Sequence, residues 1–235
     1  MEWPDSFAEL EREQERLAAA DAPPWTPAAD RFPLAGCFVS FPRGRSGYGA
    51  AGDPAWAAAA LIAEDGTVTT ALAAGAAGAR YEAGLLALRE GPLLAAAVRD
   101  LPSPPAVLLV NATGRDHPRS AGLALHLGAV LDLPTVGVTH RPLVAAGEWP
   151  ELVRGARSPL RLGGRLVGYW LCTRQGARPL AVHAAWRTDA ESAAAVVLGA
   201  SGSARTPEPL RHARRAARCA RIAAEGEAAP TADRR

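Results

Sequence analysis

The sequence contains no lysine: all 26 of its basic residues are arginine. No amine side chain is therefore available as a nucleophile, a base or a phosphate ligand. Cysteine is scarce too. Cys37, Cys172 and Cys219 are scattered, with no CxxC pair and no zinc-type spacing, and they read as isolated small hydrophobes in a reducing compartment. No apolar run approaches the roughly 20 residues of a membrane span. The opening "MEWPDSFAELEREQERL" is acidic and polar, without the basic start and apolar stretch of a secretory signal, so a cytoplasmic protein that meets no membrane is expected. Charge of one sign is also missing in bulk. A net charge of +2 does not announce a nucleic-acid partner, and local patches must decide.

What is present suffices for one large domain, because 235 residues that are 49% apolar can bury a full core. Residues 5–20 read as a charged amphipathic helix, followed by a Pro-rich linker. "LAGCFVSF" (34–41) reads as a strand buried on both faces, and "GRSGYGAAGD" (44–53) as a flexible loop. Asp65-Gly66 between two apolar runs signals a hairpin. The spacing of Leu85, Leu88, Leu93 and Val98 predicts a helix over 84–101. A strand (106–111), a helix (119–133) and a strand (134–140) follow. Gly163-Gly164 marks a second hairpin tip, and 179–186 a further strand. Then come a helix from Asp189 and an Arg-striped helix from Pro207. These pieces divide the chain into an N-terminal helix and linker (1–33), a main domain (34–224) and a disordered tail (225–235). An antiparallel hairpin sheet followed by alternating helices and strands is a mixed α/β plan, the order expected of a ribonuclease H-like domain.

One stretch concentrates the chemistry. In "AVLLVNATGRDHPRSAG" (106–122) five apolar residues run into Asn111, Thr113, Asp116, His117 and Arg119, as when a buried strand delivers side chains to a site at its C-terminal end. Together with "YEAGLLALREGPLL", "HLGAVLDLPTVGV", "GARPLAVHAAWRTDAESA" and "RTPEPLRHARRAAR", this stretch resembles the endonuclease V family over residues 34–218. The resemblance implies a ribonuclease H-like mixed sheet, antiparallel hairpins then parallel strands, flanked by helices. It implies Mg²⁺-dependent cleavage of nucleic acid near deaminated bases, chiefly inosine. Such chemistry needs clustered carboxylates that hold the ion, which activates water and neutralises phosphate charge.

Carried over position by position, the resemblance finds those ligands mostly replaced. The first-strand Asp is Phe38, the second-strand Asp is Asn111, the late His corresponds to Trp186, and the Lys after "PTxGV" is His140; only the helix acid, Glu90, remains. One carboxylate with an amide and water makes a poor Mg²⁺ site. The implied base pocket survives better, at Tyr81, Gly84, Leu86, Ala112, His117 and Leu143. Tyr81 is what remains of a proline-rich strand-separating wedge, and Ala112 adds a methyl where the family has Gly. Arg115, Arg119 and Arg141 are candidate phosphate contacts beside the former site.

Each of these residues also has an ordinary structural reading. Glu90 reads equally as a helix-start charge, and His117 as a loop brace through Asp116. His183 is out of phase with Trp186 and should face the other side. Asp189 reads as a helix cap, and Arg211, Arg214, Arg215 and Arg218 as a solvated stripe or a phosphate-facing one. The expectation is a monomeric, nuclease-inactive homologue that binds DNA, RNA or a nucleotide-like ligand and takes no cofactor. The alternatives are an active Mg²⁺-dependent endonuclease and a protein-interaction module.

Overall fold

The structure, a computed structural model, describes residues 3–20, 22–27, 29, 31–43 and 49–227. Its centre is an eight-stranded sheet of order β3-β2-β1-β4-β5-β8-β7-β6. The strands are β1 (Leu34–Ser40), β2 (Pro54–Ile62), β3 (Val68–Ala76), β4 (Val107–Val110), β5 (Thr135–Thr139), β6 (Arg157–Leu162), β7 (Arg165–Leu171) and β8 (Leu180–Ala184). β1, β4 and β5 run parallel in the middle. The hairpin β2-β3 flanks β1 antiparallel, and β8 returns antiparallel beside β5. This is the mixed, ribonuclease H-like plan expected from the sequence.

Turn chemistry explains the hairpins. Gly163 and Gly164 take φ of +56° and +82°, which only glycine adopts without cost, so they close the β6-β7 hairpin. At the other hairpin the Asp65 carboxylate accepts from Thr67 N–H at 2.9 Å, and Gly66 sits at φ +85°.

The helices are α1 (Phe7–Ala19), α2 (Leu86–Arg99), α3 (Leu123–Leu131), α4 (Ala190–Ala200) and α5 (Glu208–Glu227). Ser6 caps α1 by accepting from Glu9 N–H, and Asp189 caps α4 by accepting from Ser192 N–H at 2.7 Å. One sheet face packs against α1, α2 and α3 through Leu10, Leu17, Cys37, Leu108, Val110 and Leu125. The opposite face packs against α4 and α5 through Leu109, Val136, Val182, Val197 and Leu210. Burying such side chains stabilises by about 1.5–3 kcal/mol each.

Several expectations are corrected. Leu94, not Leu93, lies in the α2 core stripe, while Leu93 reaches Gly75 on β3. α3 begins at Leu123 rather than 119, because Ser120 takes φ +53° and Gly122 lies against the Thr113 carbonyl. β8 ends at Ala184, two residues before Trp186. Residues 225–227 belong to α5 instead of a disordered tail, and 228–235 lie outside the described residues. In the expected flexible loop, 44–48 also lie outside, but 49–53 are pinned: the Asp53 carboxylate accepts from Ala50 N–H at 2.7 Å. The N-terminal segment is part of the domain. Trp25 N–H donates to the Arg187 carbonyl at 2.7 Å, and Gln14 on α1 reaches Gly84. No helix among the described residues is long and apolar enough to cross a membrane.

Candidate functional site

The three parallel strands end side by side, and the site is built at those C-terminal ends. Cys37 of β1 pairs with Val110 of β4, so Phe38 and Asn111 follow as neighbours just beyond. They line a cavity of about 20 Å³ together with Thr139 and His140 from the end of β5 and Leu210 and Arg214 from α5. That volume holds about one water.

Arg214 reaches the cavity because α5 starts hard against β1. A Cβ at Gly36 would stand 2.7 Å from the Leu210 nitrogen, so only glycine lets the helix in. One turn after Leu210, the Arg214 guanidinium lies 5.5 Å from the centre of the Phe38 ring, and its Nε is buried without a partner. The arginine stripe thus has two environments. Arg211 and Arg215 are exposed, whereas Arg214 and Arg218 are half-buried.

Glu90 lies in the first turns of α2 and does not line the Phe38–Asn111 cavity. Burial pushes its pKa up to about 7, against a smaller lowering by Arg89. Trp186 is further away still. Its carbonyl accepts from Thr135 N–H at 2.9 Å at the N-terminal end of β5, and its Cβ side abuts Gly128 of α3. Trp186, the position matched to the family's late His, therefore does not join Phe38 and Asn111, because β8 runs antiparallel to β5 and carries the chain away from the site. Among the described residues no group of three or more His, Cys, Asp or Glu is placed to hold a metal ion.

The residues that the resemblance assigns to a base pocket come together in one cleft. Tyr81, Gly84, Leu86, Ala112, His117 and Leu143 line one cleft of about 170 Å³, joined by Asn111, Thr139 and Arg141. Tyr81 stands exposed at its rim, and Ala112 presents its buried methyl. His117 is a brace. Its Nε2 lies 2.8 Å from the Gly84 carbonyl, and its Nδ1 accepts from Arg119 N–H at 3.1 Å. Burial pulls its pKa down, so it is neutral at neutral pH. Asp116 braces a different loop from the one expected. Fully buried, its carboxylate accepts from Leu143, Val144 and Ala145 N–H at 2.6, 2.9 and 2.6 Å, holding the 141–145 loop over the pocket. His183 is buried beneath, with Nε2 2.9 Å from the Thr139 hydroxyl and Nδ1 3.6 Å from Asp116, and burial pulls its pKa down to about 4.

The three candidate phosphate arginines separate. Arg115 donates to the Ala18 carbonyl at 2.9 Å, and Arg119 pairs with Glu11 and donates to Gln14 at 3.3 Å. Both tie α1 to the domain. Arg141 is exposed and lines the base pocket. His140 is no cationic substitute for a lysine. Burial first, then Arg205 and Arg214, push its pKa below the usual range, and its Nδ1 accepts from Arg205 at 3.0 Å.

Two structural features escaped the sequence reading. Arg89, in "REGP", is buried. It pairs with Asp53 at 3.3 Å, donates to the Ala50 and Ala79 carbonyls at 2.9 and 2.7 Å, and lies 4.2 Å over the Phe41 ring. It thereby fixes the chain on either side of the pocket rim. The second is a wider cleft of about 600 Å³ lined by Trp149, Trp170, Arg178 and Arg205, which shares His140 with the small cavity and Arg141 with the base pocket.

With this geometry in hand, relatives can be placed beside it. The family described as Endonuclease V matches residues 34–215. The endonuclease V of Methanopyrus kandleri is 34% identical over 229 residues, covering 96% of this chain and 95% of its own. The crystal structure of the Streptomyces avermitilis endonuclease V superposes with a TM-score of 0.82 at 34% identity, over 95% of this chain and 96% of that one. That of Ciona intestinalis endonuclease V, in complex with a 24mer DNA containing an inosine followed by a ribo-adenosine, shares the fold at TM-score 0.76 and 18% identity, over 92% of this chain and 98% of the other. The chain belongs to the endonuclease V family.

Proposed function

We propose that this chain is a nucleic-acid-binding member of its family that does not cleave by the metal-dependent route. It takes an extruded base into the Tyr81–Leu143 cleft and holds the strand by arginine. The observation that carries this reading is the Arg214 guanidinium stacked over Phe38, in the cavity that Asn111 shares. The resemblance places two carboxylate ligands at those positions. A phenyl ring and an amide bring no charge there, and a fixed cation beside them repels Mg²⁺. Glu90 does not line that cavity, and one carboxylate alone does not fit the ion.

The pocket supports binding on its own terms. It is concave, mostly apolar and held from below by Asp116 and His117, the kind of support a flipped base needs. The relative from Ciona intestinalis, seen with inosine-containing DNA, agrees in kind.

The test pairs two assays on one labelled single strand with a central inosine. Anisotropy is expected to show binding that weakens steeply with salt, and denaturing gels with Mg²⁺ or Mn²⁺ are expected to show an intact strand. Cutting near the inosine that disappears in Glu90→Ala would overturn the proposal. Absence of salt-dependent binding would overturn its other half and favour a protein-interaction role.

A further inference from the structure

The cleft of about 600 Å³ beyond His140 contains residues that the base pocket does not use. Trp149 is 51% exposed, unusual for the largest apolar side chain. Its ring is not loose. It stands edge-on to Trp170, with centroids 5.9 Å apart at 71°, and Trp170 is buried and fixed by an Nε1–H bond to the Gly147 carbonyl at 3.0 Å. The arrangement leaves Trp149 oriented and open.

Among the described residues the cleft is lined by three guanidinium groups and no acid. Arg141, Arg178 and Arg205 line the cleft with His140, Pro142 and Pro179. Arg205 is held in place. Its Nε donates to the Arg178 carbonyl at 2.6 Å, one terminal nitrogen to the Pro179 carbonyl at 3.0 Å and the other to His140 at 3.0 Å. The guanidinium groups of Arg141 and Arg178 make no ion pair or hydrogen bond among the described residues. Clustered like charges without counter-ions disfavour one another unless an anion is shared among them. Burial and the neighbouring Arg178 both disfavour the charge on Arg205.

We infer that this cleft is a second nucleotide subsite, where a base of single-stranded nucleic acid stacks on Trp149 and its phosphate is held by Arg141, Arg178 and Arg205. An oriented, exposed indole beside a basic groove is the arrangement that binds single strands without reading sequence. A duplex hides its base faces and would meet only the arginines. Because Arg141 and Pro142 line both clefts, a strand leaving the base pocket passes directly into this one. The inference rests on the nucleic-acid reading above, and of the residues it assigns only Arg141 also lines the base pocket; Trp149, Arg178 and Arg205 do not.

The experiment uses the full chain and a fluorescein-labelled oligothymidylate, which carries no deaminated base. Trp149→Ala is expected to weaken binding about tenfold, the scale of one lost base–aromatic stack, and Trp149→Phe to restore most of it. Arg178→Ala is expected to weaken binding and lower the salt slope by about one ion. Melting temperatures of the three variants should stay near the parent's, since both side chains are exposed. Parental affinity in Trp149→Ala and Arg178→Ala overturns the subsite, while inosine-strand binding by the parent would keep the base-pocket reading intact. Loss in Arg178→Ala alone means an anion attractor without a stacking platform, and also overturns it. A parent that fails to bind oligothymidylate overturns it whatever the inosine strand does.

Discussion

Asp116 joins the fold to the site, and removing its carboxylate should damage both. In Asp116→Ala three backbone N–H groups lose a charged acceptor. They are not equal. The Ala145 donor is buried, and its loss should cost about 1.5–3 kcal/mol, the range for a hydrogen bond to a charged group. The Leu143 and Val144 donors belong to exposed residues that water can reach, so about 0.5–1.5 kcal/mol each is appropriate. The total is about 2.5–6 kcal/mol, and urea unfolding should show a lower midpoint with little change in slope. In a chain of this size that is roughly 5–24 °C of melting temperature. Asp116→Asn should cost about half as much. Its carbonyl oxygen can serve Val144 and Ala145, but its amide then faces the Leu143 N–H, donor against donor, with His183 Nδ1 as its available acceptor. Amide exchange localises the effect. Residues 143–145 should lose protection in both variants, more in the alanine one. If Asp116→Ala unfolds within about 1 kcal/mol of the parent, the carboxylate is not what holds the loop and the reasoning fails.

Four further outcomes follow from the same structure. Arg89→Met removes the cation beside a buried Asp53 and should cost about 3–5 kcal/mol in urea unfolding; a loss under about 1 kcal/mol would show that the pair contributes little. Glu90 titrates at about 7 when folded against about 4.3 unfolded, so its ionisation penalty is absent below about pH 4 and complete above about pH 7, on the order of 4 kcal/mol. Glu90→Gln should therefore melt higher than the parent at pH 8 and equally at pH 4; a lower melt at pH 8 would mean that the carboxylate is held by a cation. His126 and His183 have folded pKa values of about 4, so the unfolded chain takes up protons first and their contribution to stability is lost as pH falls from about 6.5 toward 4; His126→Gln should flatten that decline in a melt-versus-pH series, and an unchanged slope would count against it. Excess Mn²⁺ should leave the parent's melting temperature where it was, since preferential binding to the folded state would raise it; a rise of several degrees would mean that a divalent ion has a site after all.

The sequence shows the fold where local chemistry dictates it. Gly163-Gly164 and Asp65-Gly66 mark hairpins because their backbone demands are local, and Ser6 and Asp189 mark helix starts for the same reason. The start of α3 is not legible in this way. The residues before it pass over Gly114 and Thr113, and that crossing, not helix propensity, delays the first turn to Leu123. The base pocket was legible because its residues come in short motifs that the fold keeps together. Trp186 was misplaced because its position depends on the direction of β8. Arg214 was named only as one residue of a stripe; the signal for its inward turn was Gly36, a glycine within a buried strand where another backbone comes close. Trp149, Arg178 and Arg205 were not singled out at all, since they meet only when 140–149 and 178–205 fold over each other.

On the proposed reading, the change of charge also accounts for binding without hydrolysis. A carboxylate pair waiting for an ion repels itself, whereas Phe38 under Arg214 is self-satisfied, with a cation–π contact worth about 0.5–2 kcal/mol. A guanidinium can hold phosphate oxygens directly and steady their charge. It has no lone pair to take a proton, and it does not make bound water acidic as a divalent metal does. The neighbouring groups do not replace that function. His140 already accepts from Arg205 at Nδ1, and two arginines hold its pKa down, so it is a weak base. His117 is committed to Gly84 and Arg119, and Glu90 lines neither the Phe38–Asn111 cavity nor the Tyr81–Leu143 cleft. Each group that could move a proton near the strand is engaged or turned away, while the groups that attract phosphate and stack bases remain open. On that proposed reading the same scaffold keeps the recognition half of an endonuclease and lacks the means to activate water.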